Sequence, residues 1–255
     1  MILMDILQKF DLHGRTALVT GSSRGIGKAI ALTLAQAGAE VMIHGAHANE
    51  GLAATLAEAR QINPSATSVT GDLGDRAATA ELIARIGSPD ILVLNASVQS
   101  YQTLENFTAE ELTRQYEVNL RASCELIQAV IPGMRQRRWG RIVIVGSVNQ
   151  YKPAARLLIY STTKAALVNL TGNCARQYAA DGITVNNLAP GVILTDRNAE
   201  ALKDAAFRQQ ILKGIPAGRL GQPDDCAGLA LLLCSDAGAY ITGAEIPVTG
   251  GMHLG

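Results

Sequence analysis

The chain of 255 residues contains only four cysteines and four histidines, and its charges cancel, with Lys+Arg 22 against Asp+Glu 22. Each scarcity excludes something. Cys124, Cys174, Cys226 and Cys234 form no CxxC pair and fall in apolar helical stretches, so neither a disulfide framework nor a thiolate metal site is expected. They read as buried free thiols of a reducing compartment. The histidines, His13, His44, His47 and His253, are scattered without a ligand partner at helical spacing, and no metal site is expected. Balanced charge provides no electrostatic basis for binding nucleic acid or an anionic membrane. Long apolar runs are also missing: residues 229–234 form the longest near the C-terminal end, far short of the roughly 20 needed to span a bilayer. The N-terminal MILMDILQKF is interrupted by Asp5, Gln8 and Lys9, which argues against a signal peptide and for a cytoplasmic location. No linker, repeat or low-complexity tract divides the chain, so residues 1–255 are expected to form one domain.

What is present is an alternation of short β-branched runs with longer helical stretches, in a chain that is 48% hydrophobic and 17% charged. Strands are predicted at 16–20, 40–44, 66–70, 91–95, 141–146, 184–188 and 245–248, each apolar on both faces, with helices between them, the first over about 25–37. Such βαβ alternation implies an α/β fold with a single Rossmann-type, doubly wound parallel sheet of about seven strands, helices on both faces, and ligands beyond the strands' carboxyl ends. Pro247 suits an edge position for the last strand. Residues 194–216 lack strand character and are rich in polar side chains, as in a flap over a pocket or a plain surface connection.

The first predicted strand ends in Thr20-Gly21-Ser22-Ser23-Arg24-Gly25-Ile26-Gly27 and enters a helix. Glycines at such a turn let the backbone approach a pyrophosphate, which the N–H groups of the helix N-terminus can hold. The second strand ends in His44-Gly45-Ala46-His47, without the carboxylate that favours NAD by accepting from the adenosine ribose. NADP is therefore expected, with NAD possible, and Arg24 is either the partner of the 2′-phosphate or a solvated cation. Tyr160-Ser-Thr-Thr-Lys164 places a phenol and an ammonium on one helix face, where the cation would lower the phenol's pKa and make it a proton donor and acceptor. The run Arg135-Gln-Arg-Arg-Trp-Gly-Arg141 reads as a solvated helix end, with docking of an acidic carrier protein as the lesser alternative.

Taken together, from about Leu12 to Met252, these motifs resemble the classical short-chain dehydrogenase/reductase family. Thr20 to Gly27 matches its Thr-Gly-x-x-x-Gly-x-Gly loop, in which Gly21, Ser23, Arg24, Gly25, Ile26 and Gly27 would hold the cofactor. Gly71-Asp72-Leu73 resembles the segment that meets the adenine, and Leu94-Asn95-Ala96-Ser97 resembles the family's Asn-Asn-Ala-Gly. Pro190, Gly191, Ile193 and Thr195 resemble the segment holding the nicotinamide carboxamide. Leu94, Ser97 and Thr249 depart from the family pattern, where Asn, Gly and Asp are usual. The resemblance implies reversible hydride transfer to a carbonyl or from a secondary alcohol. Tyr160 would be the acid/base, Ser147 would hydrogen-bond the reacting oxygen, Lys164 would hold the nicotinamide ribose, and Asn119 would keep a water in the proton relay. It also implies a homotetramer.

For the substrate, Gln99 and Ser100 after the fourth strand and Asn149, Gln150 and Lys152 after the fifth are polar, although both glutamines can equally point to solvent. With Ser147 and Tyr160, Gln99, Asn149 and Gln150 are the expected substrate contacts. Local sequence is most similar to the gluconate 5-dehydrogenase and polyol branch, so a polyol, sugar or sugar acid is expected. A 3-oxoacyl-carrier-protein reductase is the alternative, although Asp181 stands where a basic docking residue would be expected. A non-catalytic NADP-binding scaffold is a further alternative, opposed by the presence of both Tyr160 and Lys164. An epimerase or dehydratase would need a longer C-terminal substrate domain.

Overall fold

Side chains alternate along the central strands, and that alternation divides the hydrophobic core in two. In the computed structural model, which describes residues 6–255, β1 (Thr16–Val19) sends Ala17 and Val19 to one side and Leu18 to the other. The strands β4 (Ile91–Leu94) and β5 (Gly140–Val145) do the same, with Ile91, Val93, Val143 and Val145 opposite Leu92, Leu94, Ile142 and Ile144. On the first side these residues pack on α1 (Gly25–Gln36), α2 (Glu50–Ile62) and α9 (Pro223–Cys234). On the second they meet α3 (Arg76–Ile86), α5 (Ala122–Arg137) and α6 (Leu158–Tyr178). A strand buried on both faces is apolar along most of its length, which is why these segments lack the alternating polarity of a one-sided sheet.

With β2 (Glu40–Gly45), β3 (Thr67–Thr70), β6 (Ile183–Pro190) and β7 (Glu245–Val248), the sheet has seven strands, all parallel, in the order β3-β2-β1-β4-β5-β6-β7. The order reverses between β1 and β4, so their carboxyl ends open into a crevice. The two outer strands differ from the expectation of burial on both faces. Thr67, Ser68 and Glu245 are exposed and Ile246 to Val248 only half-buried. Each lies at a sheet edge, with a neighbour on one side alone, and Pro247 costs no ladder bond on the outer side.

Two surface expectations also change. Arg141 is buried, 3% exposed, because Asp236 binds it at 2.9 Å and the Trp139 ring lies 4.3 Å from its guanidinium carbon. Arg135 and Arg137 are paired with Asp181 and Asp90, both at 2.8 Å. Cys124 is exposed, whereas Cys174, Cys226 and Cys234 are buried free thiols. Of the N-terminal MILMDILQKF, Met1 to Asp5 lie outside the described residues, and Ile6–Phe10 form a 3₁₀ turn. Among the described residues no helix is long and apolar enough to cross a membrane, and no cluster of His, Cys, Asp and Glu could hold a metal ion.

Candidate active site

The crevice at the sheet's carboxyl edge is a cleft of about 1260 Å³, larger than the roughly 300–1,000 Å³ that suits a small ligand. It brings together Gly21, Ser23, Arg24, Gly25, Ile26, Asp72, Leu73, Asn95, Ala96 and Ser97 with Pro190, Gly191, Ile193 and Thr195. The same cleft holds Gln99, Ser147, Asn149, Tyr160 and Lys164. Gly27, Asn119 and Gln150 do not line it.

At two of its glycines the loop leaves no room for a side chain. Gly21 has φ +62°, and a Cβ there would stand 2.8 Å from the Ala96 Cα. At Gly27 a Cβ would lie 2.4 Å from Asn95 Nδ2 and 2.5 Å from the Gly21 carbonyl oxygen. Asn95 explains this closeness, since its amide donates to the Thr20 and Gly21 carbonyls at 3.0 and 2.9 Å, tying the β4 end to the loop. His44, at the end of β2, supports the loop from below. Its Nδ1 accepts from the Gly21 N–H at 3.0 Å, and its Nε2 lies 3.0 Å from the Gly71 carbonyl. Burial holds the imidazole pKa below its ordinary value, which favours the neutral ring that this acceptor role requires. Nothing local in the sequence marks His44 as a site residue, because its two partners come from segments far away along the chain.

At the start of α1, Arg24 occupies the N-cap position without a side-chain bond to the helix N–H groups. By contrast α2, α3 and α8 (Ala205–Lys213) are capped by Asn49, Asp75 and Asp204. Open donors beside a glycine-lined wall fit a pyrophosphate. The Arg24 guanidinium is largely exposed, with Asp196 at 3.9 Å its one ion-pair partner among the described residues, and Ala46 at the β2 end brings no carboxylate into the cleft. Asp72 accepts from the Gly74 N–H at 2.9 Å and from Arg114 at 3.0 Å. Burial alone would raise its carboxyl, but these two donors outweigh it and hold the pKa below the ordinary value.

At the other end of the cleft, Ser147 follows β5 and caps a short 3₁₀ turn, Val148–Gln150. Its Oγ accepts from the Asn149 N–H at 3.2 Å and the Asn149 side-chain amide at 3.3 Å, leaving its O–H to donate elsewhere. Tyr160 and Lys164 lie one turn apart on α6, both buried. Lys164 Nζ donates to the Val145 carbonyl at 2.7 Å and sits 5.5 Å from the centre of the Tyr160 ring. Burial, aided by the Arg197 charge, pushes the Lys164 pKa down to about 7. The cation expected to lower the Tyr160 phenol was Lys164, yet the phenol is raised, because burial dominates. The groups opposing that rise are Arg197, Ser147 and Ser97. Burial thus pushes both groups toward their neutral forms, and the charge that opposes the rise at Tyr160 is that of Arg197.

Asn119 lies in a π-helical turn, Glu117–Arg121, between α4 (Ala109–Tyr116) and α5. Its side chain accepts from the Val98 N–H at 2.8 Å and donates to the Val98 carbonyl at 2.9 Å and to Thr163 at 3.1 Å. This ties the β4 loop to the residue before Lys164. Two of the expected substrate contacts are engaged elsewhere. Gln150 turns away from the cleft, with its Oε1 on the Ser147 N–H at 3.2 Å and its Nε2 on Asn187 at 3.1 Å. Asn149 lines the cleft, but its side chain holds Ser147 and the Ala154 N–H. Gln99 lines the cleft uncommitted, with no hydrogen bond among the described residues. Of the departures from the family pattern, Thr249 lies 2.7 Å from His253 Nδ1 through its hydroxyl, and Leu94 is buried in the core.

A parallel sheet opening into a glycine-lined loop and an uncapped helix, with a buried tyrosine, lysine and serine in the same cleft, defines a dinucleotide-binding oxidoreductase fold. A family model described as enoyl-(acyl carrier protein) reductase matches residues 21–253. The L-rhamnose 1-dehydrogenase (NAD(P)(+)) of Sphingomonas sp. (strain SKA58) is 35% identical over 248 residues, covering 95% of this chain and 98% of the relative. Among solved structures, the 3-oxoacyl (acyl-carrier-protein) reductase of Agrobacterium tumefaciens C58, with NADP bound, is 42% identical with a TM-score of 0.92, covering 97% of each chain. The gluconate 5-dehydrogenase of Burkholderia cenocepacia J2315, in complex with NADP and tartrate, is 37% identical with a TM-score of 0.89, covering 98% of this chain and 100% of the other. The chain belongs to the classical short-chain dehydrogenase/reductase family, whose members are oxidoreductases acting on CH–OH and carbonyl groups.

Proposed function

We propose that this enzyme is an NADP-dependent oxidoreductase of a small polyhydroxylated substrate, a polyol, sugar or sugar acid. The observation that carries the reaction type is the meeting of Ser147, Tyr160 and Lys164 at one end of the glycine-lined cleft. A bound nicotinamide would supply or accept the hydride. In reduction Tyr160 Oη gives its proton to the developing alkoxide oxygen, and in oxidation it takes that proton back. Ser147, with its acceptor side occupied by Asn149, donates its O–H to the same oxygen. Lys164, anchored to the Val145 carbonyl, is placed to hold the nicotinamide ribose. Asn119 positions Lys164 through Thr163 and shapes the β4 loop through Val98. Pro190, Gly191, Ile193 and Thr195 would hold the carboxamide, and Asp72 and Leu73 would meet the adenine. NADP over NAD is supported by the exposed Arg24, by the missing carboxylate at the β2 end, and by the NADP carried by both solved relatives.

Support for a polar substrate comes from Gln99, which faces the cleft uncommitted, and from the gluconate 5-dehydrogenase and L-rhamnose dehydrogenase relatives. The 3-oxoacyl-carrier-protein reductase reading is favoured by the A. tumefaciens relative. It is disfavoured by Arg135 and Arg137, whose charges are spent on Asp181 and Asp90 rather than offered to an acidic carrier. Residues 194–216, with α7 (Asp196–Ala199) and α8, act in this proposal as a flap on the substrate, and the enzyme works as a cytoplasmic homotetramer. Absorbance at 340 nm separates the substrate readings. A higher kcat/KM for gluconate or a related keto sugar acid than for an acetoacetyl thioester is expected, and the reverse order would replace this reading with the acyl reductase.

A further inference from the structure

Most carboxylates lining the cleft already have partners. Arg114 holds Asp72 at 3.0 Å, Arg24 lies 3.9 Å from Asp196, Lys203 binds Glu200 at 2.6 Å, and Asp204 caps α8. Arg197 makes no ion pair among the described residues. From the first turn of α7, two residues past Thr195, it reaches across the cleft to the end of β4. There Nη2 donates to the Ser97 carbonyl at 2.8 Å and Nη1 to the Ser97 hydroxyl at 3.3 Å. These bonds use two of the five N–H groups of the guanidinium. The position is close to the chemistry, since Arg197 and Ser97 line the same cleft as Tyr160 and Lys164, and the Arg197 charge acts on both of those groups. Ser97 stands where the resembled motif carries glycine, so the hydroxyl in this clamp is a feature of this chain.

We propose that Arg197, held by Ser97, recognises a carboxylate carried by the substrate, so that the enzyme selects hydroxy and keto acids over neutral polyols. A planar guanidinium with unused N–H groups matches a carboxylate in geometry and charge, and lysine in its place would offer only a point charge. Arg197 is exposed at the cleft wall, and because the carboxylates around it are otherwise engaged, the cation lacks a counterion that such a substrate would provide. The inference deepens the sugar-acid reading and rests on it for the identity of the substrate, but not for the presence of an anion-binding group. The other anions that the cleft would hold are the pyrophosphate and 2′-phosphate of the cofactor, which share the same chemistry.

The experiment compares the wild-type enzyme with Arg197→Met, Arg197→Lys and Ser97→Gly. Initial rates with NADP⁺ are measured for D-gluconate and for D-glucitol, its neutral counterpart, together with NADP⁺ affinity by calorimetry. Arg197→Met is expected to lower the gluconate-to-glucitol ratio of kcat/KM about tenfold or more, the usual worth of a charge-assisted contact. Arg197→Lys and Ser97→Gly should each fall between. An unchanged ratio overturns the proposal while leaving the sugar-acid reading intact. So does a loss of NADP⁺ affinity as large as the loss with gluconate, which would assign Arg197 to a cofactor phosphate. If neither compound is turned over, the sugar-acid reading fails, and calorimetry with tartrate on the NADP⁺-loaded enzyme decides the clamp independently. About tenfold weaker tartrate binding by Arg197→Met sustains it; equal binding by the two proteins, or none by the wild type, overturns it.

Discussion

Replacing Gly27 by alanine sets two opposed effects against each other. Gly27 is the third residue of α1 and has helical backbone geometry, so alanine there would ordinarily gain up to about 1 kcal/mol from reduced freedom of the unfolded chain. Its Cβ, however, would stand 2.4 Å from Asn95 Nδ2 and 2.5 Å from the Gly21 carbonyl, distances that no side chain tolerates without movement. Moving Asn95 breaks its bonds to Thr20 and Gly21, at about 1 kcal/mol each, and overpacking adds about 1–3 kcal/mol. The clash wins, with a net loss of about 2–4 kcal/mol. For a chain of this size that lowers Tm by on the order of 5–15 °C. Because Gly21 moves with it, dinucleotide affinity should fall as well. Gly228→Ala is the control: Gly228 is an exposed position inside α9 with nothing within 4 Å of a new Cβ, and the substitution should stabilise by about 0.5–1 kcal/mol. Thermal unfolding by circular dichroism and cofactor titration measure both. A Gly27→Ala variant that gains stability as Gly228→Ala does would refute the packing described for the loop.

Three further outcomes are expected. Tyr160→Phe should lower kcat by about 10²–10⁴-fold while leaving cofactor affinity nearly unchanged, and retention of more than about a tenth of the activity would remove Tyr160 as the acid. Lys164→Met should abolish activity yet raise stability near pH 7. With its folded pKa depressed to about 7 from 10.5, the unfolded chain binds the extra proton between those values. Stability therefore rises with pH across that window, the cost is fully present below it, and the variant should lack the slope in Tm against pH. Arg24→Ala should narrow the preference for NADP over NAD by about 1–3 kcal/mol, and titration of both cofactors into the wild type showing equal affinities would show that Arg24 and the β2 end have been misread.

All seven strands are legible in the sequence to within two or three residues, the central ones because burial between two helical layers forces short, nearly continuous apolar runs bounded by turn residues. The exposure of β3 and the half-burial of β7 are not, since position within a sheet is decided by which strands pair. Within the site, the spacing of Tyr160 and Lys164 and the glycines of the first loop are local features, readable from helical periodicity and from what a tight turn demands. Contacts between distant segments are another matter. His44 beneath Gly21, Asn95 against Gly27, and Arg197 across the cleft on Ser97 each join residues that the chain separates by 23 to 100 positions. Gln150 shows the same limit from the other side: its polarity and its place after β5 suggested a substrate contact, but Asn187 on β6 offered a nearer partner. The sequence by itself determined the periodicities and the residue types at each turn, because these depend on neighbours along one element. Only the tertiary structure decided which polar groups are spent on one another and which, like Gln99 and part of the Arg197 guanidinium, stay available to a ligand, because hydrogen-bond partners are chosen by proximity in space.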